Sequence, residues 1–105
     1  MPRREIGSAG LKNQVLKYCR SRGGWWQARP ASPWGHSGFP DILGCWHGIF
    51  IGLEVKMPGK DARPDQVLTL AEINIKGHGC VSVITSVMGA KFFLDALAME
   101  YDLNE

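Results

Sequence analysis

The sequence predicts an α/β domain with a central mixed sheet flanked by helices, in the order helix, three strands, helix, strand, helix. Three observations carry this. Apolar residues recur at helical spacing near the N-terminus, at Leu11, Val15, Leu16 and Cys19, and again at Val67, Leu68, Leu70, Ala71 and Ile75. Between them, Ile49, Ile51, Leu53 and Val55 alternate at the period of a strand, just after a His47-Gly48 turn. A second apolar run, Cys80 to Thr85, follows the middle helix, and a strand-helix-strand unit places its two strands in parallel.

In chain order, the spacing predicts a first helix over about residues 4–22, with Lys17, Arg20 and Arg22 suiting the negative end of its dipole and Gly23-Gly24 stopping it. Gly7 and Gly10 weaken its first turns, so Ser8 as N-cap is an alternative start. Stepping back along the helix through Leu16, Lys12 and Ala9 sets Glu5 near the rim of the buried face. Trp25 to Arg29 reads as a short strand whose two tryptophans point to opposite faces, one of them into the core. Residues 30–38 are a loop by composition.

Asp41 to Trp46 and Ile49 to Val55 form a hairpin about the turn at 47–48. Pairing about that turn sets opposite each other residues whose numbers sum to about 95, so Asp41 faces Glu54. Two carboxylates in that relation repel unless a cation lies between them. Phe50, Gly52, Glu54 and Lys56 share the face away from the alternating apolar residues, and Gly52 leaves room there. Pro64 to about Lys76 reads as a helix, and Ser86 caps a last helix carrying Phe92, Phe93, Leu94, Leu97 and Met99.

Bulk properties narrow the function classes. The 105 residues suit one domain, 1–105, with 45% hydrophobic and 21% charged residues. No apolar run reaches the roughly 18 residues of a membrane span, and the basic N-terminus has no apolar stretch of a secretory signal behind it. Cys19, Cys45 and Cys80 lack disulfide or zinc spacing, and His36, His47 and His78 are dispersed. The expectation is a cytoplasmic protein with reduced, mostly buried thiols. The net charge of +2 hides an asymmetry: ten of the twelve Lys and Arg residues, but four of the ten acids, fall in residues 1–63. A polyanion is the natural partner of that basic half.

Phosphodiester hydrolysis needs a divalent cation held by hard oxygen ligands, an activated water and a positive group against the anionic transition state. Asp41 and Glu54 can supply ligand oxygens, the backbone carbonyl of Val55 another, and Lys56 the positive group that positions or deprotonates the water. The segment Pro58-Gly59-Lys60-Asp61 is not a phosphate-binding P-loop, because its first glycine is missing and Asp61 stands where Ser or Thr should follow the lysine.

Pro40-Asp41 followed by Glu54-Val55-Lys56 resembles the PD-(D/E)xK nuclease signature. Glu5-Ile6, Gly23-Gly24, Ser37-Gly38-Phe39-Pro40-Asp41-Ile42, Gly44-Cys45, Pro58-Gly59 and Gln66 extend the likeness over residues 5 to about 97 to the VRR-NUC (virus-type replication-repair nuclease) domains of that superfamily. The resemblance implies a restriction-endonuclease-like αβββαβα core and a Mg2+- or Mn2+-dependent DNA endonuclease. Asp41 and Glu54 would be metal ligands, Lys56 the catalytic lysine, Glu5 an auxiliary acid reaching the metal through water, and Gln66 a contact to the site or the substrate backbone. Stand-alone members of phages and bacteria imply a homodimer acting on branched DNA such as four-way (Holliday) junctions.

Lys60, Arg63, Arg29 and Arg22 are candidates for holding DNA phosphates, with a solvated surface charge as the alternative, and His36 for touching DNA or a product phosphate, with a plain surface histidine as the alternative. The surface around Trp25, Trp34 and Trp46 and the last helix are candidate dimer faces. A DNA-binding module with the nuclease fold but no catalysis, and a nuclease for other DNA structures, remain alternatives.

Overall fold

The computed structural model describes residues 7–29 and 38–105. Its elements are α1 (Ser8–Ser21), β1 (Trp25–Ala28), β2 (Ile42–Trp46), β3 (Ile49–Val55), α2 (Pro64–Ile75), β4 (Cys80–Ile84) and α3 (Val87–Glu100). The four strands form one sheet in the order β1-β2-β3-β4. The first two pairings are antiparallel and β3–β4 is parallel, so the sheet is mixed as the strand-helix-strand pattern required.

Local chemistry fixes the ends of these elements. Gly7, in extended conformation, stands at the cap of α1, and Ser8 is its first helical residue rather than its cap. Gly23 and Gly24 end the helix with φ of 84° and 86°, the left-handed region that glycine enters without penalty. His47 and Gly48 both take positive φ, the signature of a two-residue hairpin turn whose twist matches the flanking strands. That turn sets Trp46 against Ile49 and Ile42 against Leu53, the register read from the sequence. At α3, the Ser86 hydroxyl accepts the Gly89 amide at 2.9 Å.

The main core lies on the face carrying Ile42, Trp46, Ile51, Leu53 and Val55, where α1 contributes Leu11, Val15, Leu16 and Cys19 and α3 contributes Ala90, Leu94 and Leu97. Trp26 enters this core and Trp25, 61% exposed, leaves it. The indole of Trp26 occupies the space over Gly44, where a Cβ would come within 2.2 Å of the ring.

Four expectations need correction. First, β3 is an interior strand covered on both faces, so Gly52 and Glu54 are buried as well as the alternating apolar residues. The cover is α2 together with Pro40, whose side chain and that of Ile73 fill the room over Gly52. Second, α1 begins at Ser8 within the described residues, because the extended backbone of Gly7 starts it there. Third, only Cys19 of the three thiols is buried, since Cys45 lies on an outward position of β2. Fourth, Trp46 is completely buried, its indole nitrogen donating to the Arg22 carbonyl at 3.0 Å, and it offers no surface to a partner.

Candidate functional site

Three chain segments meet at the end of the sheet away from the hairpin turn. Gly38, with φ of 89°, lies where an added Cβ would come within 2.6 Å of the Asp65 carbonyl of α2, and the following Pro40 is buried over Gly52. These two contacts hold the residue after them, Asp41, at the mouth of β2. The Arg29 amide donates to the Asp41 carbonyl at 2.8 Å, and the Lys56 amide to the Ile84 carbonyl at 2.9 Å. Each bond extends a strand pairing by one residue, so Arg29, Asp41 and Lys56 inherit the rigidity of the sheet.

The Asp41 carboxylate is held at both oxygens. Its Oδ2 accepts the Val55 amide at 2.9 Å, and its Oδ1 lies 3.2 Å from the Lys12 ammonium. Glu54 is the most deeply buried charged residue among those described, at 1% exposure. Its Oε1 accepts the Gln66 side-chain amide at 3.1 Å and stands 3.8 Å from the Lys56 ammonium. Its Oε2 is buried and accepts no hydrogen bond from the described residues.

Gln66 explains how the Glu54 carboxyl is oriented. It is the third residue of α2, and its Oε1 accepts the amide of Arg63 at the helix cap, at 2.8 Å. With the oxygen committed to the backbone, the amide group must face Glu54. A residue used to cap a helix is thereby also a positioning group for a buried carboxyl.

The two acids divide their protons unevenly. Burial pushes the Glu54 carboxyl up to about 8, and a hydrogen bond to the Asp41 carboxylate and that group's charge add to the rise. Burial would raise Asp41 too, but the Glu54 carboxyl beside it, the Val55 amide and the Lys12 ammonium together outweigh it and hold Asp41 below the usual carboxylate range. The repulsion expected of two facing carboxylates is thus relieved by a proton on Glu54 and a cation against Asp41.

Around the pair lies an open cavity of about 430 Å³. Among the described residues, five basic ones line it, Lys12, Arg29, Lys56, Lys60 and Arg63, against Asp41, Glu54 and Asp61. Arg63 is engaged at its edge by Asp65 at 3.1 Å. Of the expected site residues, the structure therefore brings together Asp41, Glu54, Val55, Lys56, Gln66, Lys60, Arg63 and Arg29. Arg22 does not line the cavity. It sits at the other end of α1, where its guanidinium is bonded to Asp95 at 2.9 Å, to Glu105 at 2.7 Å and to the Tyr18 hydroxyl at 2.7 Å, and lies 5.5 Å from the Trp46 ring. Glu5, His36 and Trp34 lie outside the described residues.

Sequence reasoning missed Lys12 and Ser8, which approach the site from α1. The same helical stepping that placed Glu5 passes through Lys12, and that was the available signal.

Among the described residues, no three His, Cys, Asp or Glu side chains come together as a metal cage. The donors present are two carboxylates and the neighbouring main chain of Val55. That set suits a small hard cation, which retains several waters and is completed by substrate phosphate rather than by a full protein cage. The pair itself fits the same role, because a cation bridging the two carboxylates would take the place of the proton they share.

No protein-family model matches the chain, and no curated protein matches it. In three dimensions it is similar to a solved VRR_NUC domain, with a TM-score of 0.67 and 23% sequence identity over 84% of this chain and 94% of that one. At that identity the likeness shows the fold, and it is the fold expected from the order of the elements. No helix among the described residues is long and apolar enough to cross a membrane.

Proposed function

We propose that the chain is a single-domain, Mg2+- or Mn2+-dependent DNA endonuclease. The observation that carries this reading is a pair of adjoining carboxylates, Glu54 buried and Asp41 beside it, in a cavity lined by lysines and arginines. Two carboxylates held side by side are costly in a merely structural role, whereas a divalent cation between them offsets their repulsion. The VRR_NUC-like fold supports the same reading.

Asp41 and Glu54 would hold the cation, with the Val55 carbonyl as a further oxygen and Glu5 contributing through water. When bound, the cation supplies Lewis-acid polarisation of the phosphate and a water of lowered pKa. The protein does the rest by position. Gln66 fixes the rotamer of Glu54, and the Val55 amide fixes that of Asp41. Lys56, 20% exposed, extends from the strand end into the cavity, where its ammonium orients the attacking water and offsets charge on the phosphate oxygens. Lys60, Arg63 and Arg29 line the path along which a DNA backbone would run, and the mixed signs at the centre confine the phosphate to the rim until a cation neutralises the acids.

Branched DNA such as a four-way junction is the proposed substrate, and a homodimer in a bacterial or phage-infected cytoplasm the proposed assembly and setting. Two incisions related by the two-fold symmetry of a junction need two such sites. Of the dimer faces considered, exposed Phe92 and Met88 on α3 and Trp25 on β1 remain available.

A panel of labelled duplex, flap, single-stranded and four-way-junction DNAs, with Mg2+, Mn2+ or chelator, tests the reading. Metal-dependent cutting is expected, abolished in Asp41→Ala and Lys56→Ala while DNA binding in Ca2+ persists. Cutting that survives either substitution would overturn the assignment of the site. Binding without cutting of any substrate in either metal would leave a DNA-binding module on the nuclease fold.

A further inference from the structure

Lys12 is the one cation of the cavity that comes from α1, and it lies against the carboxylate rather than the rim: its Nζ is 3.2 Å from Asp41 Oδ1. The pair is only partly screened, with side-chain exposures of 35% for Lys12 and 14% for Asp41. Lys12 also contributes to holding Asp41 ionised. The oxygen it covers is the one that the Val55 amide leaves open, because that amide takes Oδ2. A lysine ammonium is a point charge on a flexible four-carbon stem, suited to leaving one anion for another.

We propose that Lys12 is a built-in counter-cation of the site: it covers Asp41 Oδ1 in the DNA-free protein and transfers to a backbone phosphate when DNA enters, so that DNA and a divalent cation bind cooperatively. The inference rests on the reading of Asp41 and Glu54 as cation ligands. Two features make the exchange workable. Since the Val55 amide anchors Oδ2, Asp41 keeps its orientation when Lys12 departs and presents Oδ1 without rearrangement. Ser8, one turn before Lys12, lines the same cavity, so this face of α1 already fronts the space a phosphate would occupy. By linkage, whatever factor DNA adds to cation affinity through this exchange, the cation adds to DNA affinity. The arrangement would keep the DNA-free protein from holding a loaded cation site.

Titration calorimetry with Mn2+ on DNA-free protein, and with Ca2+ in the presence and absence of a short duplex, tests this without reading cleavage. Lys12→Met and Lys12→Gln are expected to bind Mn2+ about tenfold more tightly than the wild type, the scale on which one neighbouring charge shifts a carboxylate equilibrium. Lys12→Arg, which keeps the charge, should stay within about twofold of wild type on the same grounds. The tightening of Ca2+ binding by duplex should shrink in the two neutral variants. Equal or weaker Mn2+ binding in both neutral variants, or Lys12→Arg behaving as they do, would overturn the inference while leaving the cation site standing. Absence of Mn2+ and Ca2+ binding in the wild type, with and without duplex, would remove the cation site and this inference together. Loss of folding in both neutral variants would make the ion pair a requirement of the fold, against the exchange.

Discussion

Replacing Glu54 by glutamine should stabilise the chelated protein while abolishing its activity. Glu54 is 1% exposed, and its carboxyl is pushed up from an ordinary 4.5 to about 8 by burial and by the hydrogen bond and charge of Asp41. A folded-state pKa raised above the unfolded value means that the folded protein binds the proton more tightly. Stability is therefore full below about pH 4.5 and declines by about 1.4 kcal/mol per pH unit as the pH rises toward 8, where the loss levels off. At pH 7 the accumulated penalty is about 3 kcal/mol. Glutamine cannot ionise, its carbonyl can still accept from Gln66, and its amide hydrogens can face the Asp41 carboxylate. Without a divalent cation, E54Q should gain up to about 3 kcal/mol at pH 7, or roughly 15 °C in Tm for a domain of this size, and almost nothing at pH 4.5. Thermal and urea unfolding in chelator at the two pH values measure the difference. If E54Q were less stable than wild type at pH 7, or its gain the same at both pH values, the burial of an ionisable, poorly served carboxyl would be the wrong account of the site.

Three further predictions bear on the parts that hold this site. Gln66→Leu strands both the Arg63 amide and Glu54 Oε1, and should cost about 2 kcal/mol in urea unfolding together with a several-fold loss of Mn2+ affinity by calorimetry; a loss of stability with unchanged affinity would reduce Gln66 to a helix cap. Gly44→Ala places a Cβ 2.2 Å from the Trp26 ring, so the indole must leave the core, and a destabilisation of about 3 kcal/mol with a blue-to-red shift in tryptophan emission is expected. Arg22 holds Glu105 below its usual pKa through a direct hydrogen bond, and it adds to the lowering that Lys91 chiefly gives Asp95. That support is present above the ordinary carboxylate range and is lost as pH falls through the lowered values, so the Tm difference between wild type and Arg22→Ala should narrow on acidification through that range, and a difference that widened would contradict it.

Features set by neighbours in the chain were legible in the sequence, and those set by packing were not. The register of β2 on β3 follows from one two-residue turn, His47-Gly48, whose backbone demands positive φ at both positions. The Ser86 cap and the stop at Gly23-Gly24 are equally local. By contrast, the burial of Gly52 and Glu54 depends on where α2 lies against the sheet, and alternation along β3 alone reads as a strand covered on one face. Arg22 carried the same charge signal as Arg29, yet the two end up in different surroundings, because α1 runs from the cavity to the opposite end of the sheet.

The same distinction explains why the pairing of acids was foreseen and its resolution was not. The hairpin sets Asp41 opposite Glu54, and from the sequence only a cation between them relieved the repulsion. The fold supplies other means: an amide from Val55, an amide from Gln66, an ammonium from Lys12, and a low-dielectric setting that keeps a proton on Glu54. The Val55 amide, the proton and the Lys12 ammonium weaken the electrostatic pull on a divalent cation relative to two bare carboxylates, while the fixed rotamers lower the entropic cost of binding one. A site of this kind trades affinity for geometry. On the proposed function it would suit a cation that arrives with the phosphate to be cut, and would be poorly suited to one that is bound permanently.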